Sequence, residues 1–420
     1  MKSIFSISLL LLSFQLLNGQ TLSSASKPEE VGMSSARLQR MDKVLQEYIS
    51  TQKVPGAVAL IVRKGKIAYY KAFGQSNTET KTALKRDDIF RIASQSKAIT
   101  STAIMMLWEE GKFSLDEPVS KYIPEFAEPQ VLVRLNWSDT TYTAQPAKSE
   151  ITIRQLLTHT SGLDYASIGS QEFKAIYAKA GIPSGIGNHE STIGEKMKIL
   201  GSLPLKHNPG EAYTYGLNCD VLGYLVEVLS GMPFDQFLQT RIFKPLGMSD
   251  TYFYLPSDRH KRLVAVHRSV NGKYAVVKEN IFDNANPEYP KLEGHYFSGG
   301  AGLSGTIEDY AKFLQMFLNK GEYNGTRLLS RKTVELMLTN QTQPPITNQF
   351  GLGFGLETEA NDFHNPESIG SFSWGGAFST TYWADPKEDL VALVYTNIYA
   401  SNSHDLKERF KALTYQAIID

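Results

Sequence analysis

Residues 89–108 read Ile-Phe-Arg-Ile-Ala-Ser-Gln-Ser-Lys-Ala-Ile-Thr-Ser-Thr-Ala-Ile-Met-Met-Leu-Trp. The first four suit an extended run. From Ile99 to Trp108 the chain is apolar almost all round, and Gly111 stands where a helix would end. A helix with no polar face is a core helix, so other elements must cover it. Toward the N-terminus, Leu38, Met41, Val44, Leu45 and Tyr48 recur at helical spacing over 34–49. Pro55 and Gly56 stop that helix, and two β-rich runs follow at 57–62 and 67–73 across a Lys64-Gly65-Lys66 turn. Toward the C-terminus, helical patterns occupy 151–158, 221–229, 234–243, 307–318 and 330–338. The last third returns to strands at 371–374, 380–384 and 390–395 before a terminal helix at 405–419. Strands at both ends therefore bracket a helical middle. That order predicts an α/β (α+β) fold with one lobe built from 30–90 and 295–420, a helical lobe inserted over 91–294, and a cleft at their junction. Residues 125–150, rich in Thr, Ser, Pro and Asp, read as an insertion or long loop. Residues 164–209, with many Gly, Ser and Lys, read as a mobile lid.

Composition narrows the function. The 420 residues carry 43 Lys plus Arg against 43 Asp plus Glu. A nucleic-acid partner, which requires clustered basic excess, is not expected. Cys219 is the single cysteine, which rules out an intramolecular disulfide and a Cys-rich metal site. None of the eight histidines pairs at the i, i+4 spacing of a helical zinc site, so no metal or other cofactor is expected. Lys2, the apolar stretch 4–17 and Gly19 read as a signal peptide over 1–19. The mature chain is then periplasmic or secreted. No stable membrane span is expected, because no segment reaches about 20 apolar residues.

Three Ser-x-x-Lys matches occur, at Ser24/Lys27, Ser50/Lys53 and Ser94/Lys97. Only the last opens the buried helix. Residues at i and i+3 share one helical face, and the positive end of the helix dipole favours an oxyanion beside Ser94. Burial is expected to lower the pKa of Lys97, and a serine beside a neutral amine is an activated nucleophile. The same letters also suit an N-cap serine and a lysine that snorkels to solvent. Tyr213 and Tyr215 lie in a turn before the helix at 221, where a phenol near an ammonium could act as base or simply pack as a loop aromatic. His159 reads as a hydrogen-bonded turn residue rather than a base. The Gly300-Ala301-Gly302-Leu303-Ser304-Gly305 run matches a dinucleotide fingerprint by letter but lacks its preceding parallel strand. No Gly-x-Ser-x-Gly elbow occurs, which disfavours an α/β-hydrolase.

Several longer stretches, taken in order, resemble the penicillin-recognising serine hydrolases, most closely the class C β-lactamases and the related family VIII carboxylesterases. They are Arg91 to Lys97, Ile151 to Leu163, Phe243 to Met248 and Ser298 to Leu303. The resemblance implies an antiparallel sheet built from both chain termini, flanked by helices, beside an inserted all-helical lobe. It also implies Ser94 as nucleophile, Lys97 as its activating partner and Tyr215 as base, with an oxyanion hole from the N–H groups of Ser94 and Ala377. Substrate binding falls on Trp374, Gly375, Gly376 and Asn218. Trp374-Gly375-Gly376 stands where those β-lactamases carry Lys-Thr-Gly, so an apolar acyl or alcohol group suits the site better than a carboxylate. The expected activity is that of an exported, esterase-like serine hydrolase acting through a Ser94 acyl-enzyme on a small-molecule ester, amide or peptide. The alternatives are a D-amino-acid peptidase, a weak β-lactamase and a non-catalytic penicillin-binding-type receptor.

Overall fold

Gly56–Arg63 and Leu390–Tyr395 are buried along their whole length, as continuous apolar runs covered on both faces must be. They pair antiparallel from Leu390 against Arg63 to Tyr395 against Val58, so the two ends of the chain meet at the centre of one sheet. In this computed structural model, which describes residues 22–187, 190–282, 284–400 and 405–420, Lys66–Asn77 lies outside Gly56–Arg63. On the other side, Thr380–Asp385 and then Phe372–Gly376 follow Leu390–Tyr395. The four pairings among these five strands are all antiparallel. The proposed signal peptide at 1–19 lies outside the described residues.

The two-residue period of a strand divides the apolar side chains between two layers. Ala57, Ala59 and Ile61, with Ala392 and Val394, face the Ser35–Ser50 and Asp405–Tyr415 helices, where Leu38, Met41, Leu45, Leu406 and Phe410 pack. Val58, Leu60 and Val62, with Val391 and Leu393, face the Ser96–Glu109 and Ile307–Leu318 helices. Each fully buried aliphatic side chain contributes about 1.5–3 kcal/mol. The Ser96–Glu109 helix is buried from Ser96 to Leu107, as its missing polar face requires.

Three expectations are corrected. The stretch expected to be a loop at 125–150 contains an antiparallel hairpin of Gln130–Asn136 and Thr141–Pro146. Thr141–Pro146 is exposed along its whole length, so this strand adds no face to the core. The stretch read as a mobile lid at 164–209 contains two packed helices, Gln171–Lys179 and Ile193–Gly201, which bury Phe173, Ile176, Tyr177, Met197 and Leu200. Thr192 and Glu195 close a reciprocal capping box on the second. A further hairpin, His267–Val270 with Lys273–Val276, also interrupts the stretch expected to be all-helical. Among the described residues no helix is long and apolar enough to cross a membrane.

Candidate active site

From Asp88 to Leu107 every residue is buried except Ser94, which is half-buried. Exposure of that one residue is built into the local backbone. Phe90–Arg91 pairs with Ser304–Gly305, and the Ile92 N–H donates to the Leu303 carbonyl at 3.1 Å. Ala93 then takes a positive φ of 43° while fully buried. Non-glycine residues occupy that region at a cost of about 1–3 kcal/mol, so the surroundings must hold it there. They do so from both sides. The buried Arg91 guanidinium donates to the Val264 carbonyl at 2.7 Å and to Asn397 Oδ1 at 3.0 Å. Gln95 accepts from the Tyr310 hydroxyl at its carbonyl (2.9 Å) and from the Tyr395 hydroxyl at its side chain. Ser94 itself sits in the single 3-10 turn Ala93–Gln95, and the α-helix proper starts at Ser96.

Lys97 is 2% exposed. Its ammonium has three protons to donate, and three acceptors receive them: Ser94 Oγ at 3.2 Å, Tyr165 Oη at 2.9 Å and the Gly300 carbonyl at 2.7 Å. Here the sequence expectation needs correcting. Burial does push this lysine down, but the oxygens of Tyr165 and Tyr215 and the thiol of Cys219 push it up by more, so the net direction is upward. The resting site therefore holds an ammonium that donates to the serine, not a neutral amine that takes its proton. The alternative of a lysine snorkelling to solvent is also excluded by its burial.

Tyr215 presents its ring to the same ammonium, 4.6 Å from Nζ to the ring centroid. It is half-buried, and its hydroxyl makes no hydrogen bond among the described residues. Gly216 explains its placement: a Cβ there would stand 2.1 Å from the Leu163 carbonyl, so only glycine lets this loop lie against 163–164. That contact brings Tyr215 beside Tyr165, with ring centroids 5.4 Å apart. Tyr165 was missed by the reading of the sequence, although it lies only two residues beyond the Ile151 to Leu163 stretch. Burial raises its pKa, with Lys97 pulling in the opposite direction.

Trp374, half-buried, packs its ring 5.7 Å from Tyr215 and 5.3 Å from Phe350, making an aromatic wall beside Ser94 and Lys97. Gly376 is forced by close approach: a Cβ there would stand 2.4 Å from the Ile92 carbonyl and 2.3 Å from Thr380 Oγ1. The end of Phe372–Gly376 thus touches the backbone two residues before Ser94, and Ala377 follows it, exposed. A cavity of about 540 Å³ runs from Gly375, Gly376 and Ala377 toward Phe282, Tyr399 and Leu406, away from Ser94, Lys97 and Tyr215, none of which lines it.

Asn218 does not fit its expected part. It is fully buried, its amide nitrogen meets His159 Nδ1 at 3.0 Å and its oxygen accepts from the Ser161 hydroxyl. Neither end is left for a substrate. His159 is the turn residue expected, with φ of 57°, its carbonyl accepting from the Thr214 N–H at 2.8 Å and its ring buried. Burial and then the Lys97 charge hold its pKa well below the usual range, so the ring stays neutral. Among the described residues no group of three His, Cys, Asp or Glu side chains could hold a metal ion.

A family model described as Beta-lactamase matches residues 41–416. A Mycobacterium tuberculosis relative, Protein Rv1367c, is 31% identical over 83% of this chain and 87% of its own length. Esterase EstB of Burkholderia gladioli is 29% identical over 85% and 90%. The solved structure of EstCE1, described as a hydrolase with promiscuous acyltransferase activity, superposes with a TM-score of 0.78 at 25% identity, covering 90% of this chain and 98% of that one.

Proposed function

Because the chain belongs to the beta-lactamase family and is a serine hydrolase of it, we propose that it is an exported esterase that works through an acyl-enzyme on Ser94. The observation that carries this reading is the meeting of the one accessible residue of 88–107 with a buried ammonium 3.2 Å away. Ser94 Oγ attacks the carbonyl carbon. Tyr215 takes the serine proton and passes its own to the leaving oxygen or nitrogen, so the C–O or C–N bond breaks without a free alkoxide or amide ion. Lys97, against the Tyr215 ring and donating to Ser94 Oγ, offsets the negative charge that develops on this relay. The N–H groups of Ser94 and Ala377 receive the tetrahedral oxyanion, an arrangement supported by the contact of Gly376 with the Ile92 carbonyl. Water then repeats the steps on the acyl-enzyme and restores Ser94.

The wall of Trp374, Phe350 and Tyr215 supports an apolar acyl or alcohol group as substrate. It also favours a second outcome from the same intermediate, transfer of the acyl group to an apolar alcohol in place of water; EstCE1 is itself described as a hydrolase with promiscuous acyltransferase activity. Export rests on the leader-like 1–19. Wild type should turn over p-nitrophenyl butyrate and, with a fluorophosphonate in place of the ester, lose fluoride from the reagent to form a phosphonate adduct at Ser94, while Ser94→Ala should do neither. Lys97→Ala should lose about as much as Ser94→Ala, since members of one catalytic unit are not additive. Equal turnover by wild type and Ser94→Ala would end this reading. Comparison of kcat/KM across short-chain esters, a β-lactam and a D-Ala-D-Ala peptide would rank the substrate classes.

A further inference from the structure

Behind the site two opposite charges are joined through one backbone residue. Asp220, in the first turn of the Asn218–Ser230 helix, is fully buried. Its Oδ1 accepts from the Gly300 N–H at 3.3 Å, while the carbonyl of the same Gly300 accepts from Lys97 Nζ at 2.7 Å. The other oxygen, Oδ2, is buried on the side of the Ser298 hydroxyl, which helps hold the carboxyl down. It nevertheless faces the reacting groups. A Cβ on Gly300 would stand 3.3 Å from Asp220 Oδ2, 3.3 Å from Tyr165 Oη and 3.5 Å from Lys97 Nζ. One on Gly185 would stand 3.0 Å from Oδ2 and 3.1 Å from Ser298 Oγ. Two glycines thus leave the carboxylate open toward the lysine, the phenol and a hydroxyl.

A buried ammonium without a counter-charge sheds its proton. Tyr165, Tyr215 and Cys219 hold Lys97 up from close by, and Asp220 adds a buried carboxyl behind them, reached through Gly300. We propose that Asp220 is a positioning residue: by fixing Gly300, whose carbonyl accepts from Lys97, and by placing a carboxylate behind it, Asp220 holds the ammonium aimed at Ser94 Oγ and Tyr165. This inference rests on the reading of Ser94 as nucleophile. The titratable groups facing Asp220 are Lys97 from the Ser96–Glu109 helix, Tyr165 from the loop after 163, Tyr296 from the segment that also brings Ser298, and the adjacent Cys219. Burial pushes the carboxyl up to about 6, and the Ser298 hydroxyl, the Lys97 charge and the Gly300 and Gly299 N–H groups restrain it. Above that pH the pair is ionised. Below it, Asp220 is neutral and Lys97 stands alone.

The test is kcat/KM on p-nitrophenyl butyrate from about pH 5 to about pH 8 for wild type, Ser298→Ala, Asp220→Asn and Ser94→Ala, with a thermal melt at each pH. Wild type should fall by about tenfold per pH unit below a midpoint near 6. Ser298→Ala, which loses a group holding the carboxyl down, should move that midpoint upward. Asp220→Asn keeps an oxygen for the Gly300 N–H, and should be slow at every pH with the acidic limb gone. An Asp220→Asn enzyme that keeps the wild-type limb would overturn the proposal. If that variant does not fold, a wild type without a limb, or an unmoved midpoint in Ser298→Ala, overturns it instead. Turnover by Ser94→Ala is a separate failure, that of the nucleophile reading.

Discussion

At the scale of single residues, two tyrosines share one ammonium and are not equivalent. Tyr165 accepts a hydrogen bond from Lys97 Nζ at 2.9 Å and is 4% exposed, so its oxygen is already engaged. Tyr215 is half-buried and its hydroxyl is free to meet a substrate. Tyr215→Phe should therefore lower kcat by about 100- to 10,000-fold, the range for removal of a general acid–base group. Tyr165→Phe, which removes one charge-assisted acceptor, should lower it by only about tenfold. Single-turnover rates of phosphonate labelling would separate the two, and a larger loss in Tyr165→Phe would reverse the assignment. Ser94 and Lys97 stood out as a pair because theirs is the one Ser-x-x-Lys that opens an all-apolar helix, whereas Tyr215 was assigned as base only through the family resemblance. Tyr165 was not, because a lone tyrosine after a turn looks like any packed aromatic until the fold sets it beside Lys97.

At the scale of elements, the site depends on where the Phe372–Gly376 strand ends. Its last residue lies so close to Ile92 that a Cβ would stand 2.4 Å from that carbonyl. Gly376→Ala should push the strand end and Ala377 away from Ser94, lowering kcat/KM by about 100-fold or more if an oxyanion donor is lost. The chain should remain folded, since the strand keeps its pairing from Phe372–Ala384 to Gly375–Thr381. Thermal melting and ester kinetics on the same preparation would check both halves, and unchanged kinetics would place the oxyanion donor elsewhere. Helices and strands buried on defined faces were readable from period alone. The Gln130–Asn136 and Thr141–Pro146 hairpin was not, because one of its strands buries nothing.

At the scale of the whole molecule, both ends of the chain are tied to the same sheet. Arg63 donates to the Val31 and Gly32 carbonyls and pairs with Glu388 and Asp420. On the C-terminal helix, Lys411 pairs with Glu367 at 2.8 Å, both side chains almost wholly buried. Removing one member of a buried pair strands the other charge, so Lys411→Met should cost about 3–5 kcal/mol, read as a lower midpoint in urea unfolding. A midpoint within error of wild type would show that the pair adds nothing. Nearby Glu357 is pushed up to about 7, first by burial and then by the Glu367 charge. A carboxyl raised on folding favours the native state fully below its ordinary value near 4.5, and that contribution is lost as pH rises through about 7. Glu357→Gln should therefore raise the melting temperature at pH above 7 and do little in acid. A gain confined to acid would contradict the sign.

The sequence by itself determined the layering of the fold, because the spacing of apolar residues is local and a helix without a polar face can only be a core helix. It also determined which serine could be special, since only one Ser-x-x-Lys opens such a helix. The tertiary structure alone decided that Lys97 stays charged, that Tyr165 shares it, that Gly300 bridges it to Asp220, and that Asn218 is sealed against His159 and Ser161. The reason is electrostatic: the charge of a buried group is set by oxygens a few ångströms away in space, and those arrive from segments far apart in the chain.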